Sequence, residues 1–144
     1  MNVNDEALKC YLAQASPDQG DLLELVKAHD YVVEKFGYSN IISPGRISLL
    51  GWDLDYHCGG TLSNFIDQIL IRRLNDFIPN NEHPLILDCG ANIGLSVLNY
   101  KKRFPKARII AFEPDPVFLP LLRKNLEQNA VRDVKIVDSA VWTK

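Results

Sequence analysis

The residues best placed to do chemistry fall in one short run. Leu85 to Gly94 reads L-I-L-D-C-G-A-N-I-G. An acidic residue, Asp88, closes a short apolar strand, a glycine-bearing turn follows, and a helix begins at once. Glycine has no side chain to keep a ligand off the backbone, and a helix N-terminus offers N–H groups to an anionic ligand end. Open parallel sheets bind ligands at the carboxyl ends of their strands, where this turn sits. The next strand ends I-I-A-F-E-P-D, which puts Glu113 at its carboxyl end. A carboxylate there can accept charge-assisted hydrogen bonds from a ribose diol. The glycine turn, followed one strand later by an acidic residue, points to adenosine recognition. Gly90-Ala91-Asn92-Ile93-Gly94 does not match the G-x-G-x-x-G dinucleotide fingerprint, and no phosphate-cradling Gly-Lys-Ser/Thr occurs.

Short apolar strands alternating with helices must position these residues. Leu85-Ile86-Leu87 predicts a strand, Asn92 to Phe104 a helix with a basic end, and Arg108 to Phe112 a second strand. Asp115-Pro116 opens a further helix to about Gln128, with Pro120 expected to bend it. Val134 to Val137 makes a third strand. The alternation implies an α/β fold with a parallel sheet and helical crossovers. The segment before Pro84 differs in type. Ser16-Pro17-Asp18-Gln19 is a capping signal for a helix over 17–36, with Leu22, Leu23, Val26, Val33 and Phe36 as its apolar spacing and Gly37 as its stop. Arg46 to Cys58, split by Gly51, predicts a hairpin. Residues 61–78 carry an apolar helical stripe of Leu62, Phe65, Ile66, Ile69, Leu70, Leu74 and Phe77, ended by Pro79. Residues 1–83 are therefore expected to form a helical and hairpin cap on residues 84–144.

Other candidates weigh less. Asp53, Asp55 and His57 share one face of a strand; a solvated hairpin face is expected rather than a metal site, and no metal is assigned. His29 is expected at the surface, and Cys89 as a small packing residue, since nothing nearby activates its thiolate. The 144 residues carry a formal charge of −2, with 47% apolar and 24% charged residues, which gives no sign of a nucleic-acid or membrane partner. No apolar run reaches the roughly 18 residues of a spanning helix. Met1 to Glu6 is polar and acidic, unlike a signal peptide. Cys10, Cys58 and Cys89 are an odd number without C-x-x-C pairing, which fits a reducing, cytoplasmic setting.

The stretch D-C-G-A-N-I-G, followed by F-E-P-D-P, resembles the FkbM-type family of class I methyltransferases, with asparagine in place of the middle glycine of D/E-x-G-x-G-x-G. The resemblance runs from about Pro84 to Val141. It implies a Rossmann-like, doubly wound parallel sheet, of which this chain holds the first three strands, and S-adenosylmethionine as cofactor. It also implies roles for residues. The loop Asp88 to Gly94, with Gly90, Asn92 and Gly94, would hold the methionine part, and Asp88 would meet its ammonium. Glu113 would clamp the ribose hydroxyls, Pro114 would lie against the adenine, and Asp138 would sit near the adenine amino group. The structural alternatives are that Gly90 and Gly94 serve only a tight turn, Asn92 only a helix N-cap, Glu113 is a plain solvated acid at a strand end, and Asp138 is a turn residue. The family acts mostly on hydroxyls of small molecules or sugars, so O-methyl transfer is the expected reaction, with no general base identified. A non-catalytic nucleotide-binding or interaction fragment is the alternative; a nicotinamide-dependent oxidoreductase is disfavoured by the Asn92 spacing. Family members continue for further strands beyond the position of Lys144. Leu85–Leu87 would then have an open edge, and a homodimer or a complementing carboxyl-terminal half is the expected partner.

Overall fold

A computed structural model describes residues 19–39 and 41–142. Helix α1 (Gln19–Phe36) leads to an antiparallel hairpin, β1 (Gly45–Leu49) and β2 (Trp52–Tyr56). Helix α2 (Gly59–Phe65) runs on into a π-helical segment, Ile66–Ile71. Then come β3 (Leu85–Cys89), α3 (Leu95–Arg103), β4 (Arg108–Phe112), α4 (Phe118–Gln128) and β5 (Val134–Val137). The last three strands form a parallel sheet in the order β3-β4-β5, with a helix in each crossover. This is the α/β parallel winding expected from the alternation, and it fits the Rossmann-like sheet that the resemblance implies. No described helix is long and apolar enough to cross a membrane.

Strand pairing sorts the sheet into two unlike faces. Ile86 pairs with Ile109 and Asp88 with Ala111, and all four are buried. Leu85, Leu87 and Cys89 point the other way and are exposed, Leu85 by 61% and Leu87 by 59%. The buried face joins one apolar cluster that also takes in Leu49 and Leu54 of the hairpin, Leu62 and Ile66, Leu95 and Leu98 of α3, and Leu122 of α4. Each such side chain, fully buried, contributes about 1.5–3 kcal/mol.

The hairpin turns at Leu50-Gly51, both with positive φ (54° and 80°), the two-residue loop whose twist suits paired strands. Helix α4 docks on the outer edge of β2 through amide side chains. Asn129 accepts from the Asp53 N–H at 2.9 Å and donates to the Asp53 carbonyl at 2.7 Å. Asn125 does the same for Asp55, at 2.8 and 2.9 Å. An open strand edge is thereby paired by a helix.

Several expectations change. The capping signal at Ser16-Pro17-Asp18 lies outside the described residues. Within α1 the buried stripe is Leu25, His29 and Val32, at spacings of four and three, while Leu23 is 56% exposed. His29 is thus 1% exposed rather than at the surface, with Nε2 at 3.2 Å from the Tyr38 hydroxyl. The stripe over 61–78 is helical only to Ile71, because Arg73 adopts left-handed backbone (φ 53°). Leu74 is exposed, and Phe77 meets the rings of Tyr100 and Phe104 from coil, at 5.8 and 5.3 Å between centroids. Asp55 does not lie on a solvated face. It is 9% exposed and pairs with Arg46 (2.8 Å) and Lys124 (2.6 Å). Pro120 falls in the first turn of α4, where its missing N–H breaks no interior helical bond.

Candidate functional site

The turn between β3 and α3 is built on the end of β4. The N–H groups of Gly90 and Ala91 both donate to the Phe112 carbonyl, at 2.9 and 3.0 Å. The chain then reverses through Asn92 (φ 51°) and Gly94 (φ 92°), and α3 begins at Leu95. Asn92 is therefore not the N-cap; Gly94 holds that position, and the Asn92 side chain folds onto the Ile93 N–H at 3.0 Å. The two glycines answer different demands. A Cβ on Gly94 would lie 2.9 Å from Leu122 Cδ1, so this glycine lets α4 approach. A Cβ on Gly90 would meet nothing within 4 Å, so this glycine answers to its left-handed backbone (φ 93°) rather than to a neighbour, and its outer surface is open.

Two buried carboxylates flank the turn. Asp88 is 8% exposed and accepts a 2.6 Å hydrogen bond from the Ser96 hydroxyl. Burial pushes its carboxyl pKa above the usual range, the Ser96 bond opposes that, and the negative charge of Glu113 adds to the rise. Glu113, 4% exposed, is no loosely held strand-end acid. One oxygen accepts from the Asn92 N–H at 2.7 Å and the other from the Asp115 N–H at 2.8 Å. A carboxylate offers about four acceptor sites, so Glu113 staples the turn and keeps capacity for ligand hydroxyls. Pro114 is exposed beside it, and Asp138 is exposed just past β5. Cys89 is exposed at the end of β3, not packed.

The donor set has a clear chemical bias. Residues 88–94 and 113–117 contain three carboxylates and no cation. A pyrophosphate would be repelled there, whereas an ammonium, a sulfonium or a ribose diol would be favoured. The residues fit S-adenosylmethionine on that ground, and Gly90 leaves the backbone open to it. Two participants escaped the sequence reading. Ser96 restrains Asp88 from the first turn of α3. Asn125, fully buried in α4, donates to the Ile93 carbonyl of the turn at 2.8 Å. Its signal was a polar residue between Leu122 and Leu126 on the apolar stripe of α4.

Comparison with known proteins agrees with the loop. Residues 88–142 match the family model described as the Methyltransferase FkbM domain. The methyltransferase sdnD of Sordaria araneosa is 50% identical over 52 residues, which are 36% of this chain and 19% of that protein. Methyltransferase 1 of Beauveria bassiana is 34% identical over 68 residues, 47% of this chain and 27% of that one. Both matches thus span less than a third of the relative's length. Among solved structures, a methyltransferase FkbM from Methylobacillus flagellatus aligns with 83% of this chain and 33% of its own, at 16% identity and a TM-score of 0.37.

Proposed function

We propose, from the match of residues 88–142 to the FkbM methyltransferase domain model, that the chain supplies the cofactor-binding part of an S-adenosylmethionine-dependent methyltransferase. The observation that carries this is the open Gly90 turn set between two buried carboxylates, Asp88 and Glu113, with no basic residue in 88–94 or 113–117. In this reading the loop through Gly90, Asn92 and Gly94 holds the methionine part, and Asp88 receives its ammonium directly or through water. Glu113 accepts from the ribose hydroxyls, Pro114 lies against the adenine, and Asp138 approaches the adenine amino group. S-adenosylmethionine, when bound, supplies an electrophilic methyl on a sulfonium. The protein's share is to hold that methyl in line with an acceptor oxygen and to exclude water. The acceptor class is a hydroxyl of a small molecule or sugar.

The test is calorimetric titration of the chain with S-adenosylmethionine, S-adenosylhomocysteine and NAD. Saturable binding of the first two, with NAD weaker by at least tenfold, is the expected result. NAD binding more tightly than either would overturn the assignment.

A further inference from the structure

Asn125 uses every hydrogen-bonding position an amide side chain has. Its two N–H groups go to the carbonyls of Asp55 (2.9 Å) and Ile93 (2.8 Å). Its oxygen accepts from the Asp55 N–H (2.8 Å) and from Gln128 Nε2 (3.0 Å). Two donors and two acceptor lone pairs are the whole inventory of asparagine, and the residue is 0% exposed. One of the four partners, the Ile93 carbonyl, lies in the glycine turn, between Asn92 and Gly94, both with positive φ. Two others belong to the hairpin.

We propose that Asn125 is a positioning residue for the cofactor loop, coupling the hairpin to the glycine turn through the Ile93 carbonyl; this rests on reading Asp88–Gly94 as the cofactor loop. The chain reversal at Asn92–Gly94 turns the Ile93 carbonyl toward α4 and away from α3, whose first carbonyl acceptor is that of Gly94, bonded to Leu98 N–H at 3.0 Å. A buried carbonyl at that point needs a donor, and Asn125 provides it from a helix that is itself fastened to β2. Fully satisfied buried polar networks fix one arrangement of the groups they join. The hairpin, far from the loop in sequence, then helps set where the Asn92 and Gly94 backbone sits.

Asn129→Ala is the matched control, since it removes two bonds to Asp53 and one to the Asn125 main-chain carbonyl but none to the turn. Parent, Asn125→Ala and Asn129→Ala are compared by amide hydrogen exchange over residues 90–98 and by calorimetry with S-adenosylhomocysteine, at equal folded fraction. Asn125→Ala is expected to speed loop exchange by tenfold or more and to raise Kd by a similar factor, with Asn129→Ala within twofold of the parent on both. Loop exchange unchanged in Asn125→Ala overturns the proposal. Should that variant not fold, exchange in the parent under rising urea decides: the amides of Gly94 and Asp55 opening as one unit supports the coupling, and independent opening overturns it. Altered exchange with no binding even by the parent would sink the cofactor reading and leave the positioning role standing.

Discussion

Glu113 serves the turn with both oxygens, and in the proposed reading it serves the ribose hydroxyls with the same pair. Because each accepts a main-chain N–H, from Asn92 and Asp115, Glu113→Ala should lower stability by about 1–3 kcal/mol for each donor left without a partner. It should also weaken S-adenosylhomocysteine binding by about 1–3 kcal/mol. Urea unfolding and calorimetry check the two separately, and an unchanged unfolding midpoint would mean the carboxylate is no staple. Asp88 gives a pH prediction. Only its ionised form attracts an ammonium, and its pKa is raised, chiefly by burial. Cofactor affinity should therefore fall on acidification at a pH above the ordinary carboxylate range, and Asp88→Asn should flatten that dependence. Folding runs the other way: a raised folded pKa means Asp88 detracts from stability as pH climbs through it. The acidic positions were legible from the motif, since residue type and strand end suffice to place them. Their hydrogen bonds were not, because Ser96 and the Asn92 N–H reach them only through backbone angles that no spacing encodes.

Among the elements, the hairpin carries the strongest electrostatic signature. Asp55 is held at a pKa of about 2, against an ordinary 3.8, first by the hydrogen bond from Arg46 and then by Lys124, with burial opposing. A depressed folded pKa adds stability that is complete above the unfolded value and is lost as pH falls from about 4 toward 2. The shift corresponds to about 2 kcal/mol. Arg46 and Lys124 are more than half exposed, so solvent screening should leave about 1 kcal/mol. Urea unfolding of parent and Asp55→Asn at pH 5 and pH 2.5 tests this: the gap between them should be present at the first and cut to about a third at the second. The alternation of Asp53 and Asp55 did identify a strand, with His57 just past its end. Which of them was buried depended on α4, a partner remote in sequence. The same limit explains the stripe over 61–78: apolar spacing continues to Phe77, yet Phe77 meets Tyr100 and Phe104 from coil and stays partly exposed.

At the scale of the molecule, the parallel sheet was the most legible part, because strand and helix periods alternate cleanly from Pro84 onward. In the described residues β3 pairs only with β4, and Leu85 and Leu87 stand exposed on the sheet's bare face. Parallel sheets are ordinarily covered on both faces. The chain as given should therefore self-associate at tens of micromolar or bind a complementing segment. Light scattering checks this, and a monodisperse monomer would refute it. Helix α4 and the hairpin meet along a different kind of seam. Asn125, Gln128 and Asn129 reach the carbonyls and N–H groups of Asp53 and Asp55, not their side chains. Main-chain groups are the same whatever residue bears them. The seam therefore distributes mutational freedom unequally: position 53 can drift in sequence and still be gripped, whereas positions 125 and 129 cannot.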